Sequence, residues 1–342
     1  MTTQAFPSIL EAAETPRIVR LESNLYAAVF SLMKLMPARF MLDRARLDGR
    51  LPPGATVVET SSGTFALGLA MACRLRGHPL VVVGDPAIDH RLRDRLGLMG
   101  AVVDIVDDFD APGGIQGARL ARVERHREAL PGCFVPGQYD NPDNPLAYRP
   151  VAELLSATLG RVDCVVGAVG SGGSTGGITT ALRERGDDVR LIGVDTHGSV
   201  LFGLPDGRRV LRGLGSSIHP ANVRHDAYDE VHWVPAAEAF RSTRDLCAWR
   251  GVFAGPTSGA AYLAAKRFAD TNPDSVTVVI FPDDGHRYQD TVYSDRWLRE
   301  QGHWLDVLPT APRLVDDPGN VDDRWSSMLW GRRELAQVAG AR

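Results

Sequence analysis

Short runs rich in valine and isoleucine alternate with stretches of helical period along most of this 342-residue chain. "ATVVE" (55–59), "PLVVVGD" (79–85), "AVVDIV" (101–106), "VDCVVGAV" (162–169), "VRLIGVD" (189–195) and "SVTVVIFPD" (275–283) are expected as strands. "FALGLAMACRLRG" (65–77), closed by Gly77, "DHRLRDRLGLMG" (89–100) and "GARLARVERHREAL" are expected as helices between them. β-Branched runs without polar alternation imply strands buried on both faces, hence parallel sheets flanked by helices. The turn-rich "DNPDNP" (140–145) separates two such groups. The expectation is an α/β protein with an N-terminal domain over 1–145, a C-terminal domain over 146–310 and an irregular tail over 311–342.

Composition excludes several function classes. A net charge of −4 leaves no basic footprint for nucleic acid, and no run of 18 apolar residues offers a membrane span. The N-terminus carries no basic stretch followed by an apolar core, so no secretory signal is expected. Cys73, Cys133, Cys164 and Cys247 are scattered, with neither CxxC nor metal-ligand spacing. Inert buried thiols in a reduced cytoplasm are therefore expected, with no metal.

Two strand–turn–helix junctions carry candidate chemistry. In "VVGAVGSGGSTGGITTALRERG", a strand runs into Gly170-Ser171-Gly172-Gly173-Ser174 and then a helix. Glycines there let backbone N–H groups converge on an anion, and the helix N-terminus adds favourable partial charge, so a phosphate site is expected. The stretch lacks the GK[ST] of a Walker loop, and Thr175 stands where a dinucleotide fingerprint needs its third glycine. In "VVETSSGTFALGLA", Ser61, Ser62, Gly63 and Thr64 begin a helix. They could hold a carboxylate by the same physics, or be an ordinary N-cap.

The stretch "AAVFSLMKLMPARFML" places Lys34 in an apolar run. Only Lys34 and Lys266 are lysines among 38 basic residues, and arginine cannot replace a lysine that must lose its proton. Pro37 suits a first helical turn, which puts Lys34 just before a helix. Phe30, Leu32, Met33, Leu35 and Met36 would desolvate the amine and lower its pKa, which suits Schiff-base chemistry. A lysine lying along apolar surface with its head in water is the alternative. A phosphate loop together with a reactive lysine matches a phosphate ester that carries an aldehyde, and pyridoxal 5′-phosphate is such a molecule.

On these residues the chain resembles the cysteine synthase / cystathionine β-synthase family of pyridoxal-phosphate enzymes over about residues 16–300. Lys34 and the following "LMPARFMLDRARLDGRLPPGATVVETSSGT" keep the family's spacing, and Gly170 through Ser174 correspond to its "GTGGT". "GQYDNPDNP" looks like its "QFxNPxNP", "AGPTSGAA" like "GISSGAA", "RGLGSS" (212–217) like its glycine loop near the cofactor, and "FPDDGHRYQDTVYSDRW" like "PDxGERYLxTxYxD". "THGSVLFG" and "YSDRWL" look most like the branch that makes N-(2-amino-2-carboxyethyl)-L-glutamate.

The resemblance implies fold type II, tryptophan synthase β-like: two doubly wound sheets with a cofactor cleft between domains. It implies that Lys34 forms the Schiff base and that Gly170, Ser171, Gly172, Gly173 and Ser174 hold the phosphate. Thr257, with Ser258 beside it, would face the ring nitrogen as a neutral hydroxyl. Ser61, Ser62, Gly63 and Gln138 would hold the carboxylate of a small amino-acid substrate. The implied activity is β-replacement on O-acetylserine or O-phosphoserine through an aminoacrylate, by sulfide or by an amine nucleophile, in a cytoplasmic homodimer. A dehydratase or ammonia-lyase, or a pyridoxal-phosphate-binding protein without turnover, are the other readings. Departures fall near the substrate. Thr64 replaces the usual Asn on the cofactor's 3′-oxygen, Phe65 and Ala66 replace Thr and Gly, and Leu35 and Met36 replace Asp and Arg. Phe65 is expected to narrow the pocket beside the carboxylate.

Overall fold

In a computed structural model, residues 5–338 are described. The chain divides into two compact units, one comprising the residues up to Pro16 and Phe30–Ala147, the other Arg17–Val29 and everything from Tyr148 on. In the first unit three parallel strands, Val57–Thr60, Leu80–Gly84 and Val102–Ile105, form one sheet in chain order. Helices Leu35–Leu47, Thr64–Arg76 and His90–Leu98 pack in its main core, and Gly114–Ala129 packs in a second cluster with Val58 and Val83. Local chemistry sets their ends. Gly77 at φ +74 closes the second helix, and the Asp89 carboxylate accepts the N–H of Leu92 to cap the third.

The second unit holds eight strands in the order Arg17–Arg20, Leu25–Val29, Thr277–Phe281, Cys164–Ala168, Arg190–Asp195, Glu230–Trp233, Ser326–Leu329, Arg313–Leu314. Its centre is parallel, and antiparallel pairs lie toward both edges. The six strands expected from the sequence all form, with ends that differ from the expected ones by at most two residues.

Other elements were not expected. "RIVR" and "EVHW" carry polar or charged residues at positions that local pattern reads as loop, yet pairing with buried neighbours makes them strands. Arg17–Val29 consequently belongs with the second unit, because Leu25–Val29 pairs in register with Thr277–Phe281. The C-terminal stretch is not an irregular tail. Ser326–Leu329 pairs with Glu230–Trp233, and Trp325 and Trp330 are buried, the Trp325 indole donating to His232 Nδ1 at 3.0 Å. Residues 339–342 of that expected tail lie outside the described residues. Among the described residues, no helix is long and apolar enough to cross a membrane.

Candidate active site

Lys34 stands at the N-cap of the 13-residue helix Leu35–Leu47, with Pro37 in the first turn as the sequence predicts. Phe30, Leu32, Met33, Leu35 and Met36 are all buried around it. Burial pushes the amine down from its usual range to about 8. Lys266, by contrast, is an ordinary surface lysine paired with Asp270 at 2.9 Å one helical turn away. Because only the neutral amine attacks an aldehyde, capture of pyridoxal phosphate by apoprotein should accelerate about tenfold per pH unit up to about pH 8 and then level off. Stopped-flow absorbance across pH 6–10 checks this.

The next helix, Thr64–Arg76, packs on the start of this one through Gly68. A Cβ there would lie 2.9 Å from the Lys34 carbonyl oxygen and 3.0 Å from Leu35 Cα, both backbone atoms. Gly68→Ala should therefore cost about 1–3 kcal/mol by overpacking, partly offset by the roughly 1 kcal/mol that alanine gains in a helix. The expected readout is a lower melting temperature, since the crowded atoms are backbone atoms of Lys34 and Leu35.

At the head of that helix the sequence-predicted residues come together. The Ser61 hydroxyl accepts the N–H groups of Gly63 and Ala66, both at 3.2 Å, so it works as a cap within the loop. Ser62 accepts instead from the guanidinium of Arg119 at 3.0 Å. Gly63 and Thr64 are partly exposed at the turn. Gln138 is buried, and its amide donates to the Thr60 carbonyl at 3.0 Å, which places it against the same segment. Phe65, expected beside the carboxylate, packs inward. It is 2% exposed and lies in the first unit's core with Leu69, one turn further along the helix. That burial stabilises the junction by about 2 kcal/mol.

Arg119 is the residue here that sequence reasoning missed. It sits on the Gly114–Ala129 helix, is 5% exposed, and pairs with Asp85 at 2.7 Å. In sequence it is one of several arginines on a polar helix, and nothing local marks it. Its charge is met by Asp85, so its role toward Ser62 is to hold the loop.

In the second unit, the strand Cys164–Ala168 leads into Gly170–Ser174, and the 12-residue helix Gly173–Glu184 begins inside the loop. Gly172 lies in the left-handed region at φ +81, and a Cβ there would fall 2.4 Å from the Asn222 carbonyl oxygen. A Cβ on Gly170 would meet the Gly213 carbonyl at 3.3 Å, and one on Gly213 would meet the Thr257 methyl at 3.2 Å. The Gly170–Ser174 loop therefore neighbours the "RGLGSS" loop, which in turn neighbours Thr257. Ser171 and Ser174 are buried here. Thr257 and Ser258 are the second and third residues of the 16-residue helix Pro256–Thr271, and the buried Ser258 hydroxyl finds no partner among the described residues.

The first unit thus offers a desolvated amine at a helix start, and the second a glycine turn leading into a helix N-terminus, of the kind that suits an anion. A family profile described as "Pyridoxal-phosphate dependent enzyme" matches residues 28–283, and the chain belongs to that family. It is 35% identical over 332 residues to an N-(2-amino-2-carboxyethyl)-L-glutamate synthase of Cupriavidus metallidurans, covering 90% of this chain and 97% of that protein. A protein of the same name from Ralstonia nicotianae is 34% identical, covering 82% of this chain and 87% of its own. Among solved structures, O-acetyl serine sulfhydrylase isoform 3 of Entamoeba histolytica superposes with a TM-score of 0.78 at 25% identity, covering 90% of this chain and 98% of that one. The chain is a pyridoxal-phosphate-dependent enzyme of fold type II.

The four cysteines are free. Cys73 and Cys164 are buried, and burial pushes the Cys73 thiol up to about 12. Cys133 and Cys247 are only partly buried, contrary to the expectation for all four. Among the described residues no cluster of His, Cys, Asp or Glu could hold a metal.

Proposed function

We propose that this enzyme replaces the β-substituent of an O-activated L-serine by an amine nucleophile such as glutamate. The reading rests on the 35% identity to a synthase of that product over nearly the whole of both chains. The fold and Lys34 are equally compatible with sulfide as nucleophile, and the likeness to O-acetyl serine sulfhydrylase favours that second reading.

When bound, pyridoxal phosphate supplies an electron sink that lets a proton leave the substrate's α-carbon and the activated oxygen leave its β-carbon. The chain's own residues do the rest. Lys34 would hold the cofactor's aldehyde and, as a free amine, would take the substrate's α-proton. An amine pKa of about 8 suits a group that must both accept and return a proton near neutrality. Gly170–Ser174 take the phosphate through backbone N–H groups and the helix start. A hydroxyl of Thr257 or Ser258 would face the ring nitrogen, and a neutral partner there would leave it unprotonated. Ser62, Gly63, Thr64 and Gln138 orient the α-carboxylate. Acetate or phosphate departs, a C–N bond forms at the β-carbon, Lys34 returns its proton to the α-carbon, and the nucleophile's spare proton passes to solvent.

Mass spectrometry of products from O-phosphoserine or O-acetylserine, offered with glutamate or with sulfide, tests this. A condensed diamino acid with glutamate is expected. Cysteine alone would select the sulfide reading, and pyruvate with ammonia regardless of nucleophile would make the enzyme a lyase. No consumption of any serine ester would leave only a binding role. The same reading carries a cytoplasmic homodimer, which light scattering of the purified protein checks for its subunit number.

A further inference from the structure

Glu59 is a buried carboxylate that the scheme above does not use. It is 2% exposed, at the penultimate position of the strand Val57–Thr60. One oxygen accepts the N–H of Thr60 at 2.7 Å. The other accepts the N–H groups of Gly137 at 2.8 Å and Gln138 at 3.3 Å. Gly137 at φ +66 makes the turn in which two successive N–H groups share one oxygen. The Gln138 side chain returns a bond to the Thr60 carbonyl, and Asn144 donates to the Gln138 carbonyl at 2.6 Å. Two segments far apart in sequence, 60–64 and 137–138, are thus cross-linked through one carboxylate.

We propose that Glu59 is a positioning residue that fixes the 60–64 loop and the Gly137–Gln138 turn in the register needed for both to hold the substrate's α-carboxylate. This rests on the reading that those residues bind that group. Three backbone N–H donors require acceptor lone pairs, which the ionised carboxylate supplies in full and a protonated one does not. The groups facing Glu59 are Arg119 from the Gly114–Ala129 helix, paired with Asp85, and Tyr139 from the turn itself. Burial raises the Glu59 carboxyl to about 7, against the three N–H bonds and Arg119, which lower it. Its ionisation therefore falls within the working pH range, and the cross-link tightens as pH rises.

The test uses cofactor-loaded Glu59→Gln and L-serine, an amino acid with the same carboxylate and no activated leaving group, followed by the cofactor's absorbance. The dissociation constant for L-serine should rise about tenfold at pH 8, as expected for losing one to two buried hydrogen bonds, with cofactor loading unchanged. The wild type's loss of L-serine affinity between pH 8 and pH 6 should be flattened in the variant. Equal affinity in both proteins at every pH overturns the proposal. Hydrogen exchange on wild type alone, corrected for intrinsic rates, gives an independent reading: protection at 60–64 and 137–138 should be higher at pH 8 than at pH 6, and pH-independent protection also overturns it. If wild type loads cofactor but responds to no amino acid, the proposed reaction falls, while the exchange experiment still decides the cross-link.

Discussion

Lys34→Ala should yield folded protein without the visible absorbance of a bound Schiff base and with turnover reduced by about 10³-fold or more. The lysine is asked to act twice, as the anchor of the aldehyde and as the base at the α-carbon, and a positioned base alone contributes about 10²–10⁴-fold. Lys34→Arg should be no better, because a guanidinium keeps its proton and cannot form the linkage. The amine is held below its usual pKa by burial, so below about pH 8 the fold carries a desolvated charge that alanine removes. As pH rises toward the unfolded value of 10.5, wild type should gain stability relative to Lys34→Ala, since neutral Lys34 suits its site. A visible band surviving in Lys34→Ala would place the linkage elsewhere and remove the basis of the proposed reaction.

Gly172→Ala should abolish tight cofactor binding, with pyridoxal-phosphate affinity falling about 10²-fold or more. An alanine at φ +81 costs about 1–2 kcal/mol in backbone strain. Its Cβ would also overlap the Asn222 carbonyl oxygen at 2.4 Å and Val223 Cα at 2.8 Å, which are backbone atoms with little room to move. Relief requires the loop to shift, and a shifted loop loses charge-assisted N–H bonds worth about 1.5–3 kcal/mol each. Gly170→Ala is the internal comparison. Its Cβ meets the Gly213 carbonyl only at 3.3 Å, and its φ lies outside the positive region, so a loss at least tenfold smaller is expected. Titration of apoprotein with pyridoxal phosphate, followed by fluorescence, separates the two. Equal losses would mean that the turn at Gly172 is not the phosphate cradle.

Much of the site was legible because its chemistry is local. A strand, a glycine turn and a helix adjacent in sequence specify their junction locally, and the chain from Cys164 to Glu184 adopts that form. Lys34 was legible from the apolar residues on either side of it and from Pro37, all within seven positions. The partners of the carboxylate loop were not. Arg119 and Glu59 each sit in an element whose pattern reads as helix or strand, and their contacts are with residues 57 and 78 positions away. Asp283 is a similar case. It is a buried carboxyl beside Gly255 at the head of the helix that carries Thr257, held by the Tyr288 hydroxyl at 2.8 Å and raised by burial to about 6.

Local periodicity and turn chemistry determined the succession of the central strands and helices along the chain, the two strand–turn–helix junctions and the apolar setting of Lys34 at a helix start. These follow from a residue's immediate neighbours, because backbone conformation and desolvation by adjacent side chains act over a few positions. Tertiary structure alone decided that Arg17–Val29 joins the second unit's sheet, that the C-terminal residues close its far edge, that Phe65 turns into the core, and that the Ser61 oxygen is spent inside its own loop. Each is a choice among partners distant in sequence. It is settled by which buried N–H, carbonyl and apolar surfaces remain to be matched once the chain is folded.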